Sequence, residues 1–222
     1  MAPKLMDDSP SIVLLGGFDP RRFHPLWLRE LGLLGAEEAK GAELKAMVPE
    51  LTEWSTDWLV FQAIDNRLSV QAKTGAAAAN LRDLALGILE VLDQTIVSAL
   101  GINRAMHWDV GGIENWHKVG DVLAPKALWQ PHMARRPGMR SLQIEDTPRA
   151  DGLAGRVLVT VQPSSRLAHG IFVDVNNELR PPHGPDDPVP TPWAAKSIED
   201  NWERLSHDAQ KMAESVLLGC LS

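Results

Sequence analysis

The sequence predicts an α+β fold in which two β-α-β-β-(β)-α pseudo-repeats share one curved antiparallel sheet, with two long helices packed on one face. Three observations predict it. Residues 81–100 place Leu81, Leu84, Ala85, Ile88, Leu92, Ile96 and Leu100 at helical spacing and lead through Gly101 into a strand, where Ile102, Arg104, Met106, Trp108 and Val110 alternate with Asn103, Ala105, His107 and Asp109. Near the C-terminus, Ile198, Trp202, Leu205, Ala209, Met212 and Val216 form a second helical stripe, with charged residues on the other faces. The order strand, short helix, two or three strands, long helix starts at Ile12 and again at Ile102, a repeat of pattern with little identity. The halves are residues 1–100 and 101–222, expected to pack as one unit.

Taken in order, residues 1–10 hold two prolines and two aspartates and read as a mobile lead-in. Ile12, Val13, Leu14 and Leu15 form a fully apolar strand ended by Gly16 and Gly17. Residues 26–34 fit a short helix closed by Gly35, and a second helical fragment over 36–47 is interrupted by Gly41. A short strand over 51–54 precedes a hairpin, 58–64 and 68–73, whose Asp65-Asn66 turn tolerates positive φ. Asn80 is the expected cap of the helix over 81–100 and Gly101 its stop. After the central strand come a short helix over 113–123, an ordered loop over 125–137, and strands over 139–145, 156–162 and 170–178. Six prolines in residues 180–192 predict a stiff, extended crossover into the last helix.

Composition narrows the function classes. A formal charge of -7 argues against a protein that coats nucleic acid or an anionic membrane without selectivity. Residues 101–170 depart from that balance, with nine Lys or Arg against six Asp or Glu. The single Cys220 excludes an internal disulfide and a multi-thiolate metal site and suits a reducing cytoplasm. The N-terminus lacks the basic start and apolar run of a secretory signal, and no uninterrupted apolar run reaches about 18 residues, so no membrane span is expected.

Several short stretches carry a resemblance: Ile12-Val13-Leu14-Leu15, Phe23-His24-Pro25-Leu26-Trp27, Ser55-Thr56-Asp57-Trp58, Leu100-Gly101-Ile102-Asn103-Arg104 and Pro137-Gly138-Met139-Arg140-Ser141-Leu142. In this order they resemble a sporadically distributed group of bacterial proteins that carry no assigned activity. The duplicated layout is similar to the fold of the TATA-box-binding protein. Neither resemblance implies a catalytic residue or cofactor, and fold likeness does not transfer function.

Candidate chemistry centres on His107 and Asp109, which alternation puts on one strand face with Asn103. His117 or His132 is a further metal ligand or acid-base partner from the following segments. Asp174, Asn176 and Asn177 form a second polar group able to meet a cation. A solvated strand face produces the same letters in both places. No phosphate loop, dinucleotide fingerprint or nucleophile elbow is present. The binding residues expected are Arg135, Arg136 and Arg140 with Trp129 upstream, since a guanidinium is both a fork donor and a flat stacking face, and Trp193 in the proline-bearing crossover. The sequence therefore predicts a cytoplasmic, non-enzymatic protein-binding or assembly protein without a cofactor, engaging a protein partner or a second copy. The resemblance extends this to a bacterial accessory system, in toxin neutralisation or phage defence. Two rival readings stay open: a metal-assisted hydrolase or nuclease using His107 and Asp109 with His117, His132 or Asp174, and a nucleic-acid binder using Arg135, Arg136 and Arg140.

Overall fold

A computed structural model describes residues 2–133, 135, 137–182 and 189–222. The chain starts as strand. β1 (Lys4–Gly16) lies antiparallel to the central strand along most of its length, with Leu5 opposite Trp108 and Ile12 opposite Ile102. The expected mobile lead-in over residues 1–10 is thus corrected. Its polar residues find partners far along the chain: Asp8 meets Arg104 through Nε and Nη2 at 2.9 and 2.6 Å, and Asp7 pairs with Arg166. Pro10 fits because the ladder with β5 begins only at Ser11, so no strand requires its missing N–H on that side. The run Ile12 to Leu15 is also not buried throughout. Ile12 and Leu14 enter the core, while Leu15 on the other face is 39% exposed.

Next come α1 (Pro25–Glu30) and α2 (Ala36–Gly41). His24 caps α1, its Nδ1 accepting from the Leu26 N–H at 3.1 Å. Where one fragment over 36–47 was expected, α2 stops at Gly41 and β2 (Glu43–Val48) follows as an edge strand. β3 (Leu51–Ser55), β4 (Leu59–Ile64) and β5 (Arg67–Ala72) then form a meander, with Asn66 at φ 59° in the β4–β5 turn.

The helix expected over 81–100 divides in two. α3 (Ala78–Val91) has Ala77 as its N-cap rather than Asn80, and its C-terminal carbonyls are closed by turns at Leu92 and Thr95. The central strand β6 (Ile96–Asp109) starts five residues before the expected stop, so Gly101 lies inside it. α4 (Ile113–Leu123), β7 (Leu142–Asp146), β8 (Gly155–Pro163) and β9 (Gly170–Leu179) follow close to the predicted positions. Of the proline-rich crossover, residues 183–188 lie outside the described residues. β10 (Val189–Pro190) pairs with the start of β6 and α5 (Pro192–Leu221) closes the chain.

Among the described residues the strands make one ten-stranded antiparallel sheet in the order β2-β3-β4-β5-β1-β6-β9-β8-β7, with β10 alongside β6. The helices share one face. α3 packs on β1, β5 and α5, while α5 packs on β6 and β9 and is flanked by α4. Beneath them lie two hydrophobic clusters. The first gathers Ile12, Trp54, Phe61, Leu81 and Ile88 with Ile198, Trp202 and Leu205 of α5; the second gathers Met106, Trp108, Val119 and Val173 with Ala209, Ala213 and Leu217. The α5 stripe is therefore 198, 202, 205, 209, 213, 217, and its last two positions replace the expected Met212 and Val216; Met212 is 38% exposed. Arg104 sits between the clusters on the same face and donates from Nη1 to the Ser206 carbonyl at 2.8 Å. No helix among the described residues is long and apolar enough to cross a membrane.

Candidate functional site

Two regions gather the residues the sequence singles out. The first lies where α4 gives way to the segment 124–141. α4 is fastened by Asn115, whose Nδ2 donates to the Val110 carbonyl at 2.7 Å, by Trp116, whose Nε1 donates to the Gly170 carbonyl at 3.1 Å, and by Lys118, whose Nζ donates to the Leu221 carbonyl at 2.9 Å. Beyond Pro125 the chain makes two successive 3-10 turns, Lys126–Leu128 and Gln130–His132, joined through Trp129. Such tight turns bury little, and they leave Leu128 72%, Trp129 51% and Met133 50% exposed.

Two adjoining hollows of about 280 and 260 Å³ open here and share Lys126, Pro137, Gly138 and Met139. The inner one reaches Trp116, His117 and Ile171; the outer one is walled by Trp129, Met133 and Arg140. The Lys126 ammonium pairs with Asp121, which fixes its stem along the shared wall. Aromatic and thioether walls beside cationic heads suit a ligand that is apolar and acidic together. The segment 124–141 carries Lys126, Arg135, Arg136 and Arg140 and no Asp or Glu. That local imbalance is the sequence signal for Lys126, which is not among the expected binding residues.

The second region is the sheet face away from the helices. His107 stands opposite Asp7 of β1 and Phe172 of β9, with its ring centroid 4.8 Å from that of Phe172. The β8–β9 loop folds over it. Ser164 Oγ accepts from the N–H groups of Arg166 and Leu167 at 3.1 and 3.0 Å, so its own hydrogen is left for His107 Nδ1 at 2.8 Å. The imidazole is thus neutral with its proton on Nε2. Burial, and then the positive charge of Arg166, hold its pKa below the usual histidine value. One row away, Asp174 faces Ala105 on β6 and Thr160 on β8, and burial pushes its carboxyl up to about 6.

No protein-family model matches the chain, and no curated protein matches it either. Trp129 and Arg140 do share one hollow, with exposed Arg135 nearby in sequence, while Arg136 lies outside the described residues. Trp193 is elsewhere, half-buried against the first cluster at the start of α5. His132 is exposed in the second tight turn. His107 and Asp109 do occupy one strand face, but Asp109 is at the exposed end and its Oδ1 accepts from the Gly111 N–H at 2.8 Å, while His117 lines the inner hollow on α4. Among the described residues no group of three or more His, Cys, Asp or Glu side chains is placed to hold a metal ion. Asn177, grouped with Asp174 and Asn176 by sequence, is buried on the opposite face from both. Ser164, the partner that sets the His107 tautomer, lies 57 residues away in the chain and left no mark in the sequence.

Proposed function

We propose that this is a non-enzymatic binding protein that takes an acidic, apolar segment of a partner protein into the paired hollows between α4 and residues 124–141. One observation carries the reading: a chain of net charge -7 concentrates four cations and no carboxylate in residues 124–141, and there exposes Leu128, Trp129 and Met133 together. Exposed aromatic and arginine side chains around an apolar hollow are the composition of an interface centre. Steering by the cations brings an acidic segment in, and Trp129 and Met133 supply the contact area.

Labelled peptides of alternating Glu and Phe test it against an oligothymidylate of equal charge, by fluorescence anisotropy. Peptide binding that weakens at least tenfold in Trp129→Ala/Arg140→Glu is the expected result. Preference for the oligothymidylate, with affinity falling steeply as salt rises, would transfer the surface to nucleic acid. Binding of neither sinks the proposal.

We also infer that residues 1–100 and 101–222 are related halves packed as one unit, with the proline-rich crossover at 180–192 inside the second. The sheet order supports this: from the central β1–β6 pair it continues β5-β4-β3-β2 on one side and β9-β8-β7 on the other, and a helix follows the strands of each half. On this reading the layout is that of the TATA-box-binding protein in arrangement alone. A place in a bacterial accessory system, neutralising a toxin or acting in phage defence within the cytoplasm, fits a protein whose role is to hold another. Genome neighbours that encode neither a toxin nor a defence component would count against that place.

A further inference from the structure

We propose that the free edge of β7 continues the hollows beside α4: resting on the binding reading above, the partner segment held there runs on as an added strand, antiparallel to β7 and about 4.8 Å from it. The outer hollow ends where β7 begins. Its wall includes Arg140 and Ser141, and the next residue is Leu142, the first of the strand. A chain that leaves the hollow past Ser141 therefore meets the backbone N–H and C=O groups of a sheet edge.

β7 ends the sheet on one side and β2 on the other, and the two edges differ. The β2–β3 ladder is shifted between Leu44 and Ala46, a bulge that carries Lys45, and a bulge with a lysine keeps a further strand off an edge. The β7–β8 ladder runs from Leu142 opposite Val161 to Asp146 opposite Val157 without a shift. What the β7 side chains hold lies inward or in the turn that follows. Gln143 Nε2 donates to Thr160 Oγ1 at 3.3 Å, Glu145 accepts from Arg156 at 3.1 Å, and Asp146 Oδ2 accepts from the Ala150 N–H at 3.1 Å. Among the described residues no backbone hydrogen bond reaches β7 from outside its ladder with β8.

The faces of β7 set the sequence of the segment. Leu142 and Ile144 stand opposite Val161 and Val159, which pack in the second cluster, so they lie on the helix side, and there Ile144 is 58% exposed. The apolar surface of that cluster thus reaches the sheet edge uncovered. Gln143 and Glu145 lie on the other face. A matching antiparallel segment has β-branched residues opposite Leu142 and Ile144 and a cation opposite Glu145. Its C-terminal end lies at Leu142, so its acidic and apolar part follows the strand into the hollows. Charge separates the two parts: Lys126 and Arg140 wall the outer hollow, while Glu145 and Asp146 close the far end of β7. A second copy matches this edge poorly. Full antiparallel pairing of β7 with itself puts Leu142 opposite Asp146 and supplies no cation, between chains of net charge -7.

Two labelled peptides test this on the full chain, Thr-Lys-Val-Thr-Val-Glu-Phe-Glu-Phe and its last four residues alone, with anisotropy for affinity and NMR hydrogen exchange for the β7 amides. The longer peptide should bind at least tenfold tighter and slow the exchange of every second amide from Leu142 to Asp146. N-methylation of alternate residues in its first five should abolish that gain in one phase and leave it in the other. Ile144→Ser should weaken the longer peptide at least threefold and leave the shorter unchanged. Equal affinities, with the shorter peptide still sensitive to Trp129→Ala/Arg140→Glu, would overturn strand addition and leave the hollows as the binding site. Binding of neither peptide would overturn both. Protection of β7 by the longer peptide that is equal in Trp129→Ala/Arg140→Glu would overturn the hollow reading and the continuity with it. Protection that grows with the concentration of the chain alone would make a second copy the occupant and overturn the proposal.

Discussion

At the scale of single residues, His107 and Asp174 make stability respond to pH in opposite senses. The folded pKa of Asp174 is raised from 3.8 to about 6, so its protonated form is favoured by folding. Stability is intact below the unfolded value and lost as pH rises from about 4 to 6. At roughly 1.4 kcal/mol per unit the loss is ~3 kcal/mol at most. The folded pKa of His107 is lowered, so its neutral form is favoured, and stability present above the unfolded value of 6.5 is lost as pH falls towards the folded one. Below pH 6, where the two effects overlap, each masks the other in the wild type. In urea titrations Asp174→Asn should be more stable than wild type by ~1–3 kcal/mol at pH 7.5 and indistinguishable from it at pH 3.5. A gain of equal size at both pH values would mean that the substitution acts through packing and not through the carboxylate. Once Asp174 is removed, the loss of stability that begins just below pH 6.5 belongs to His107, while carboxylates held low by arginines, such as Asp151, act only below about pH 4. Ser164→Ala should cost about 1–3 kcal/mol, since it removes the hydroxyl that donates to the ring and accepts two N–H bonds of the loop.

At the scale of elements, the central strand shows why part of the fold was legible and part was not. Ile88, Leu92, Ile96 and Leu100 are spaced by four, and a spacing of four satisfies a helix and, being even, a strand as well. Periodicity therefore could not find the end of α3; Thr95-Ile96-Val97, a β-branched run, was the available signal. The hairpin β4–β5, the helix α4 and the amphipathic α5 were legible because their signals are local: Asn66 at the turn, a 3.6-residue stripe, a proline at the first position. β1 was not, because what makes Asp7-Asp8-Ser9-Pro10 a strand lies about a hundred or more residues away in Arg104 and Arg166. The candidate sites divide the same way. Trp129 and Arg140 could be paired from one stretch of chain, whereas the row Ser9, Ala105, Asp174, Thr160 exists only once four strands are in register. The Arg104–Asp8 pair, with side chains 16% and 11% exposed, joins β1, β6 and α5. Asp8→Ala should cost ~3–5 kcal/mol by leaving the guanidinium without its counter-charge, and Asp8→Leu/Arg104→Met should recover most of it, as enclosed pairs replaced by apolar residues often do. A double variant no better than the single one would show that the contact to Ser206, not the ion pair, holds the junction.

At the scale of the whole molecule, the question is how two hydrophobic clusters behave as one body. The sheet runs through both, but between them β6 presents the charged Arg104 instead of an apolar side chain, so continuity on the helical side depends on α5. At 1.5 Å per residue its 30 residues span about 45 Å, enough to cross both clusters. Ile198, Trp202 and Leu205 serve the first cluster and Ala209, Ala213 and Leu217 the second, and Ser206, which accepts the Arg104 bond, falls at the boundary. The helix thus transmits the packing of one cluster to the other, and the wild type should unfold in a single transition. Ala209→Pro would remove the helical N–H bond at the boundary and clash with the preceding turn, at a cost of ~3 kcal/mol or more. Its effect should be unequal. The C-terminal half of α5 supplies much of the second cluster, whereas the first retains α3, so amides of β8 and β9 should lose hydrogen-exchange protection by a larger factor than those of β4 and β5. Equal loss on both sides would mean that the β1–β6 ladder alone makes the two clusters cooperative and that α5 only covers them. Because α4 and Lys118 rest on the end of α5, the unequal outcome would also loosen the hollows beside Trp116, and with them the surface proposed for the partner.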